Sequence, residues 1–289
     1  MSSWKGKTRG GLLGYKIFVF VIEHFGLSSS YFLLKFVSFY FVLFSPASFK
    51  SMFYFYHERL HYGAIKSFVN IYRNFYLLGQ MLIDKVALMS GAVNDFKQIR
   101  EGGENLDRMI ENKTGGLLIS AHVGNFEVGS HLLKRLDAKI NVVMLESERL
   151  QIKRFLSAVM SEKKFNIIGI KEDKSHIFEI MNALNNKEIV CIHADRYLEG
   201  MDLLEENFLG KKAKFPAGPF VLASKLNVPV SFVFVNKTGK KRYQFYASKP
   251  DLNKKDAIGY LKDYLYNLEK NIYKYPGQWF NHYPFWGEA

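Results

Sequence analysis

Short apolar runs alternate with amphipathic stretches along the chain from about residue 115 onward. Six runs have the length and composition of buried strands, at 117–119, 140–145, 165–170, 188–193, 230–235 and 242–247. Helical spacing of apolar residues predicts helices at 125–136, 149–160, 177–184, 220–226 and 257–273. Strands that alternate with helices predict an α/β fold with a layered, mostly parallel sheet flanked by helices. In such sheets, ligands bind beyond the carboxyl ends of the strands.

The N-terminal part of the chain differs from the rest because two apolar runs dominate it. A basic start precedes a first run at 12–22, and a second run at 31–44 contains Lys35. Neither run alone reaches the roughly 20 apolar residues of a spanning helix, and no small-residue cleavage site of a signal peptide follows. We divide the chain into an apolar, helical membrane-attachment segment (1–45) and an α/β domain (46–289) that begins with helices up to residue 112. Two modes of attachment stay open, a pair of helices in the bilayer surface, which we favour, or one tilted span.

Composition narrows the choice of partners. The 289 residues are 48% hydrophobic and 23% charged, which suits a packed globular domain. The net charge of +13 fits a nucleic acid, an anionic lipid or an acidic protein. No zinc-finger, RNA-binding or basic-zipper signature accompanies that charge, so nucleic acid ranks last. The single cysteine, Cys191, excludes a disulfide framework and a cysteine-based metal site.

The candidate catalytic residues lie just after the first predicted strand. His122 follows that strand, and Glu127 comes five positions later. Asn125 is predicted to cap a helix that holds Glu127 in its first turn, and Gly124 permits a turn that folds His122 back toward it. A neutral imidazole accepts a proton near pH 7, and a carboxylate on its other nitrogen fixes the tautomer. The pair therefore predicts general-base catalysis, with a purely structural histidine as the alternative.

Four sequence segments, which occur in the same order as in a known protein family, resemble the motifs of that family. The spacing from His122 to Glu127 resembles the HX4(D/E) motif of the lysophospholipid acyltransferase superfamily. Asp195-Arg196, the glycine-containing segment 208–223 and the ending 275–280 resemble blocks of the lipid A late (lauroyl/myristoyl) acyltransferases. The resemblance implies a glycerolipid acyltransferase-like fold and transfer of a fatty acyl chain from acyl-carrier-protein or acyl-CoA to a lipid. It also implies no cofactor, no metal and a place at the cytoplasmic face of the cell inner membrane.

The same resemblance suggests roles for particular residues. His122 is predicted to be the general base and Glu127 its orienting carboxylate. The predicted substrate-binding residues are Asn125, Arg149, Asp195, Arg196, Lys211, Lys212, Lys214 and Gly218. The three lysines precede a predicted helix start, so they either bind a phosphate or form a solvated loop.

The acceptor remains open because the chain departs from the family pattern at one position. The family usually places an arginine directly after the second strand of this region, whereas Arg149 lies one turn later here. A lipid A precursor ranks first as acceptor, followed by other lyso-lipids, including amino-acid-linked lipids.

Two alternatives come from other functional classes. The segment His57-Glu58-Arg59-Leu60-His61 matches the H-E-x-x-H pattern of zinc metallopeptidases, although no third ligand follows at the expected spacing. A non-catalytic membrane protein that retains the fold is the other alternative. The aromatic ending 278–286 either lines an acyl channel or docks on the core.

Overall fold

The computed structural model of this chain describes residues 12–89, 91, 93, 95–126, 128–129, 139–145, 166–251 and 255–287. Its strands are β1 (Lys97–Glu101), β2 (Gly116–Ser120), β3 (Ile140–Leu145), β4 (Asn166–Ile170), β5 (Ile189–His193), β6 (Leu203–Phe208), β7 (Lys211–Pro216), β8 (Val230–Gly239) and β9 (Arg242–Ala247). Seven of these form one sheet with the order β1-β9-β8-β2-β5-β3-β4, and β6 and β7 form a separate antiparallel hairpin.

The large sheet is parallel apart from one hairpin. Neighbouring strands run parallel from β8 through β2, β5 and β3 to β4, and β1 runs parallel to β9. Only β8 and β9, which the chain connects directly, pair antiparallel within this described sheet. All five residues of β2 are buried, because strands flank it on both sides and helices cover the sheet. The predicted layered, mostly parallel α/β fold is confirmed.

The described helices lie close to their predicted positions. They are α1 (Leu12–Phe44), α2 (Pro46–Tyr54), a π-helical turn (Phe55–Arg59), α3 (Ala64–Met89), α4 (Gly103–Glu111), α5 (His176–Asn185), α6 (Gly218–Lys225) and α7 (Ala257–Lys274). The helix predicted at 125–136 begins at Phe126. Its continuation beyond residue 129 and the whole helix predicted at 149–160 lie outside the described residues.

Two predictions of local structure were wrong. Strand β1 lies in the region that we predicted to be helical, since its sequence Lys-Gln-Ile-Arg-Glu lacks the apolar run of a buried strand. It is a mostly exposed edge strand whose stability comes from pairing with β9. The basic loop predicted before α6 is instead the hairpin of β6 and β7. There Glu205 lies opposite Lys214 as a cross-strand charge pair, and the buried side chains of Phe208 and Phe215 hold the hairpin on the core.

Helix α1 packs lengthwise on the rest of the protein. Gly26, with φ 76°, separates its two apolar runs by a kink. One face is buried, at Ile22, Leu27, Ser30, Tyr31, Leu34, Ser38 and Val42. The opposite face exposes Phe20, Phe25, Phe32, Phe36, Phe39, Tyr40, Leu43 and Phe44. By length and composition, the segment Lys16–Phe44 is able to cross a membrane, with a mean hydropathy of 1.6.

Candidate active site

Two adjacent parallel strands bring the central groups of the site together. Ser120 at the end of β2 lies opposite His193 at the end of β5. His122 and Asp195 each follow two residues beyond these positions, so they share one edge of the sheet. His122 Nδ1 lies 2.7 Å from Asp195 Oδ1, and the backbone N–H of His122 donates to Asp195 Oδ2 at 3.0 Å.

Asp195 is an ionised, almost fully buried carboxylate. Its exposed fraction is 2%, and Trp279 Nε1 donates a third hydrogen bond to Oδ2 at 3.3 Å. Burial alone would raise the pKa of Asp195. The charge and hydrogen bond of His122 and the charge of Arg196 outweigh burial and hold that pKa well below its usual range. Because an ionised carboxylate only accepts hydrogen bonds, His122 donates to Asp195 through Nδ1–H, so that Nε2 is the acceptor nitrogen of the neutral ring.

The turn after His122 depends on Gly124. Its φ is 66°, and a Cβ at this position would lie 1.9 Å from the carbonyl oxygen of Val235. The backbone N–H of Gly124 donates to Gln278 O at 2.8 Å, and the N–H of Phe280 donates to His122 O at 3.1 Å. The turn is therefore fixed between β8 and the C-terminal segment, and a larger residue does not fit.

Asn125 performs the capping role predicted from the sequence. Its Oδ1 accepts from the backbone N–H of Val128 at 3.2 Å, and its Nδ2 donates to Met81 O at 2.9 Å. Only 4% of Asn125 is exposed. The buried amide thus bonds to groups of the protein itself and positions the turn, and its predicted contact with substrate stays a prediction.

His193 is a member of the site that the sequence reasoning missed. Its ring meets the rings of His122 and Phe126 edge to face, with centroids 4.5 Å apart in both pairs. Burial, assisted by the neighbouring charge of His122, lowers the pKa of His193 to about 3. The signal was present in the sequence, since His193 and Asp195 are two positions apart at a strand end and therefore share one side of the strand.

The three polar side chains of the site are close enough to hold a metal ion. Donor atoms of His122, His193 and Asp195 lie within 4.8 Å of one another, and they form the only such group among the described residues. Both carboxylate oxygens of Asp195 already accept hydrogen bonds from the protein itself. A site without metal stays our prediction.

The other predicted substrate-binding residues are placed as follows. Arg196 is partly buried, and its Nη2 donates to Phe280 O at 2.8 Å, so it contacts the C-terminal segment. Lys211 donates to the hydroxyl of Tyr54 at 3.0 Å, and Lys212 lies 3.6 Å from Glu205. The three lysines lie on strand β7, whereas we had predicted a loop. Exposed Gly218 begins α6.

Two predicted residues, Glu127 and Arg149, lie outside the described residues. The role of each therefore stays a prediction. Among the described residues, the carboxylate that contacts His122 is that of Asp195, which we had predicted only as a substrate-binding group.

The H-E-x-x-H segment does not form a regular α-helical metal site. Residues Phe55–Arg59 form a π-helical turn, and His61 follows it with a positive φ of 55°. His61 therefore does not continue the helix face that carries His57. The Nδ1 atom of His57 lies instead 2.8 Å from Glu58 Oε1.

The aromatic C-terminal segment docks on the core. Trp279, Phe285 and Trp286 are 1%, 4% and 9% exposed, and their rings pack against Phe208. This contact places Trp279 beneath Asp195, where its indole N–H reaches the carboxylate.

Comparison with known proteins identifies the family. The crystal structure of the 1-acyl-sn-glycerophosphate (LPA) acyltransferase, PlsC, from Thermotoga maritima is similar at 14% identity and a TM-score of 0.39, over 88% of this chain and 99% of that chain. No curated protein matches significantly. The family model of the bacterial lipid A biosynthesis acyltransferases matches residues 70–286, about three quarters of the chain. The chain is thus an acyltransferase, and it belongs to the bacterial lipid A biosynthesis acyltransferase family.

Proposed function

We propose that this protein transfers a fatty acyl chain from acyl-carrier-protein or acyl-CoA to a lipid A precursor at the cytoplasmic face of the inner membrane. The observation that carries the proposal is the 2.7 Å contact between His122 Nδ1 and the buried carboxylate of Asp195. This pair supplies a base with a fixed tautomer, and a thioester supplies its own leaving group. An enzyme nucleophile is therefore unnecessary.

The proposed reaction uses the two nitrogens of His122 differently. Nε2 takes the proton of the acceptor hydroxyl as its oxygen attacks the thioester carbonyl carbon. Asp195 stabilises the imidazolium through Nδ1–H, and the imidazolium then returns its proton to the departing thiolate. Glu127 remains a proposed second carboxylate of this site, and Arg149 a proposed contact to the acceptor.

The basic surface supports an anionic partner. Lys212 and Lys214 on β7 are exposed, and the whole chain has a net charge of +13. We assign Lys211, Lys212, Lys214 and Gly218 to contact with a phosphate of the donor or of the acceptor. An acidic carrier protein and an anionic membrane suit this charge equally well.

The reaction is tested by mass spectrometry of cellular lipids with and without the gene, complemented by wild type or by His122→Ala. The proposal expects lipid A to lose one acyl chain, which only wild type restores. A different lipid that loses the chain would identify another lyso-lipid or an amino-acid-linked lipid as acceptor. Unchanged lipids would refute the assignment.

We further propose that α1 attaches the protein to the membrane by lying in its surface. The eight large side chains on its outer face are all more than half exposed. If each leaves roughly 100 Å² open, the surface amounts to roughly 800 Å², which exceeds the few hundred Å² typical of a soluble monomer. Exposed Lys16 and Lys35 on the same helix suit anionic headgroups.

Contacts near the midpoint of α1 argue against a span. Tyr31 hydrogen-bonds to Asp84 of α3, accepts from Lys237 Nζ at 3.0 Å and donates to Lys240 O at 3.2 Å. A helix spanning from Lys16 to Phe44 would place Tyr31 near the bilayer centre. The catalytic sheet cannot follow it there, so spanning would break these bonds.

Labelling from one side of sealed vesicles distinguishes the two modes. In a Cys191→Ser background, Gly14→Cys and Ala47→Cys place single thiols at exposed positions on either side of the apolar segment. A surface helix lets an impermeant maleimide label both variants from the same side. If only one of the two reacts, α1 spans the membrane and the proposal fails.

The outer face itself is tested by replacing Phe32, Phe36 and Phe39 together with serine. This variant should lose most of its binding to anionic vesicles. The matched control is Phe178→Ser with Tyr266→Ser, since those side chains are 75% and 70% exposed on α5 and α7. Equal vesicle binding by the two variants would contradict the assignment of this face.

A further inference from the structure

His193 has a polarity that neither the fold nor the His122–Asp195 pair requires. It ends β5 and packs between His122 and Phe126. An aromatic or aliphatic side chain would fill this position equally well, yet the residue is an imidazole.

The two nitrogens lie in different surroundings. Nδ1 is buried and has no hydrogen-bond partner, and it is the only His193 atom in this condition. The residue retains some exposed surface, and no described group hydrogen-bonds its Nε2. Nε2 is therefore the nitrogen at the accessible part of the ring, and the ring itself packs against His122.

This difference fixes the tautomer. A second proton would place an N–H on Nδ1, where nothing accepts it, and burying an unpaired donor costs more than burying a lone pair. The ring is therefore neutral, with its single proton on Nε2. It offers one hydrogen-bond donor to the site and does not compete with His122 for a proton.

We propose that His193 is a further catalytic residue, whose Nε2–H donates a hydrogen bond to the thioester carbonyl oxygen as that oxygen becomes negatively charged. This inference rests on the proposed function, in which a thioester reacts beside His122. The ring centroids of His122 and His193 lie 4.5 Å apart, so an acceptor oxygen at His122 and a carbonyl oxygen at His193 can belong to one reacting centre. Preformed donors of this kind stabilise a developing oxyanion strongly in a site that excludes water.

The acceptor oxygen forms a bond to the carbonyl carbon and gives its proton to His122 Nε2. The carbonyl π electrons move to the oxygen, which accepts the hydrogen bond from His193 without taking the proton. The C=O bond then reforms, the C–S bond breaks, and the thiolate receives the proton from His122. A neutral donor is suited to this role because it remains bound to its own proton throughout.

Three substitutions separate the roles of the ring and its nitrogens. His193→Phe keeps an aromatic ring against His122 and Phe126 but removes both nitrogens. His193→Gln carries an amide N–H near the position of Nε2, and His193→Asn carries its amide near the position of Nδ1. We expect kcat to fall about 100-fold to 1000-fold in the Phe and Asn variants. The Gln variant should retain kcat within about tenfold of wild type, since it keeps the donor, and KM should change little in all three.

A stability measurement distinguishes catalysis from packing. His193→Phe removes a buried nitrogen without a partner, so its Tm should equal or exceed that of wild type while its kcat falls. A structural role would instead lower Tm and kcat together and would not be rescued by glutamine.

The assay measures acyl transfer from lauroyl-CoA to the acceptor lipid in detergent micelles, with His122→Ala as the inactive reference. A Phe variant with kcat within about threefold of wild type would overturn the inference while leaving the proposed function intact, and so would a Gln variant as slow as Phe. Wild-type protein that transfers no acyl chain to a lipid A precursor from either lauroyl-CoA or lauroyl-acyl-carrier-protein would overturn the proposed function and this inference with it.

Discussion

Asp195→Asn is the substitution whose effect the structure determines most completely. The carboxylate accepts three hydrogen bonds, from His122 Nδ1 on one oxygen and from the backbone N–H of His122 and Trp279 Nε1 on the other. An asparagine amide has one oxygen and one NH2 group. If the oxygen faces Nδ1, the NH2 group points at two donors and both lose their acceptor.

The flipped amide avoids that conflict. Its oxygen then accepts from the backbone N–H of His122 and from Trp279, and its NH2 group donates to His122 Nδ1. This arrangement satisfies every group, but it requires the proton of His122 to be on Nε2. Nε2 is the nitrogen that should act as the base, so the variant holds the enzyme in the wrong tautomer.

The expected magnitudes follow from this geometry. Hydrogen bonding is retained in number, so the free energy of unfolding should fall by only about 1 to 2 kcal/mol, the loss of charge assistance. The base loses the acceptor lone pair on Nε2, and the imidazolium loses its counter-charge. We expect kcat to fall about 10³-fold to 10⁴-fold, which corresponds to roughly 4 to 5.5 kcal/mol of transition-state stabilisation.

The assay compares kcat of Asp195→Asn with that of Asp202→Asn, an exposed control, with Tm measured on the same preparations. Combining Asp195→Asn with His122→Ala should cost no more activity than His122→Ala alone, since both act through one imidazole. A kcat within tenfold of wild type at unchanged Tm would refute the role of Asp195, and Glu127 would then be the carboxylate to examine.

Four further outcomes are expected. Because burial lowers the pKa of His193 to about 3, only the unfolded state takes up its proton between about pH 6.5 and 3. The free energy of unfolding of the wild type should therefore fall as the pH falls through that window, by up to roughly 1.4 kcal/mol per pH unit. In urea unfolding, His193→Gln should show a weaker dependence on pH. Asp84→Asn removes the carboxylate that faces the buried ammonium of Lys237 and should cost about 3 to 5 kcal/mol in thermal unfolding. Asp95→Asn, in an exposed pair, should change Tm little. Gly124→Ala should abolish activity and lower Tm strongly, whereas Gly210→Ala, with a similar φ but open space, should lower Tm only slightly. Exhaustive treatment with a chelator should leave acyl transfer unchanged, and activity that returns only with added zinc would contradict the metal-free assignment.

Apolar runs in the sequence were sufficient to predict the buried part of the fold. The strands β2, β3, β5 and β8 each contain a run of consecutive apolar residues, because strands covered on both faces need them. Strand β1 carries no such signal. It exists because β9 offers it unpaired backbone groups, and that is a tertiary effect which the sequence of β1 does not record.

The sequence predicted a histidine paired with a carboxylate, but it did not predict which carboxylate contacts the histidine. His122 and a carboxylate were expected together, and sequence proximity suggested Glu127. The described carboxylate partner is Asp195, 73 positions away. The register of β2 against β5 creates this contact, and only knowledge of the strand order would have revealed it.

Asp195 and Glu127 belong to different elements of the fold, and this difference determines what positions each carboxylate. Asp195 follows a strand of the central sheet and is fixed by a backbone N–H and by Trp279, so its position depends on the sheet and on the C-terminal segment. Glu127 follows Phe126, where a helix capped by Asn125 begins. Because Asp195 on the sheet orients His122, the tautomer of His122 does not depend on the position of that helix. If Glu127 instead contacts the acceptor, Glu127→Gln should raise KM for the lipid while leaving the pH dependence of kcat unchanged. A variant that loses kcat as severely as Asp195→Asn, with KM unchanged, would show that both carboxylates act on His122.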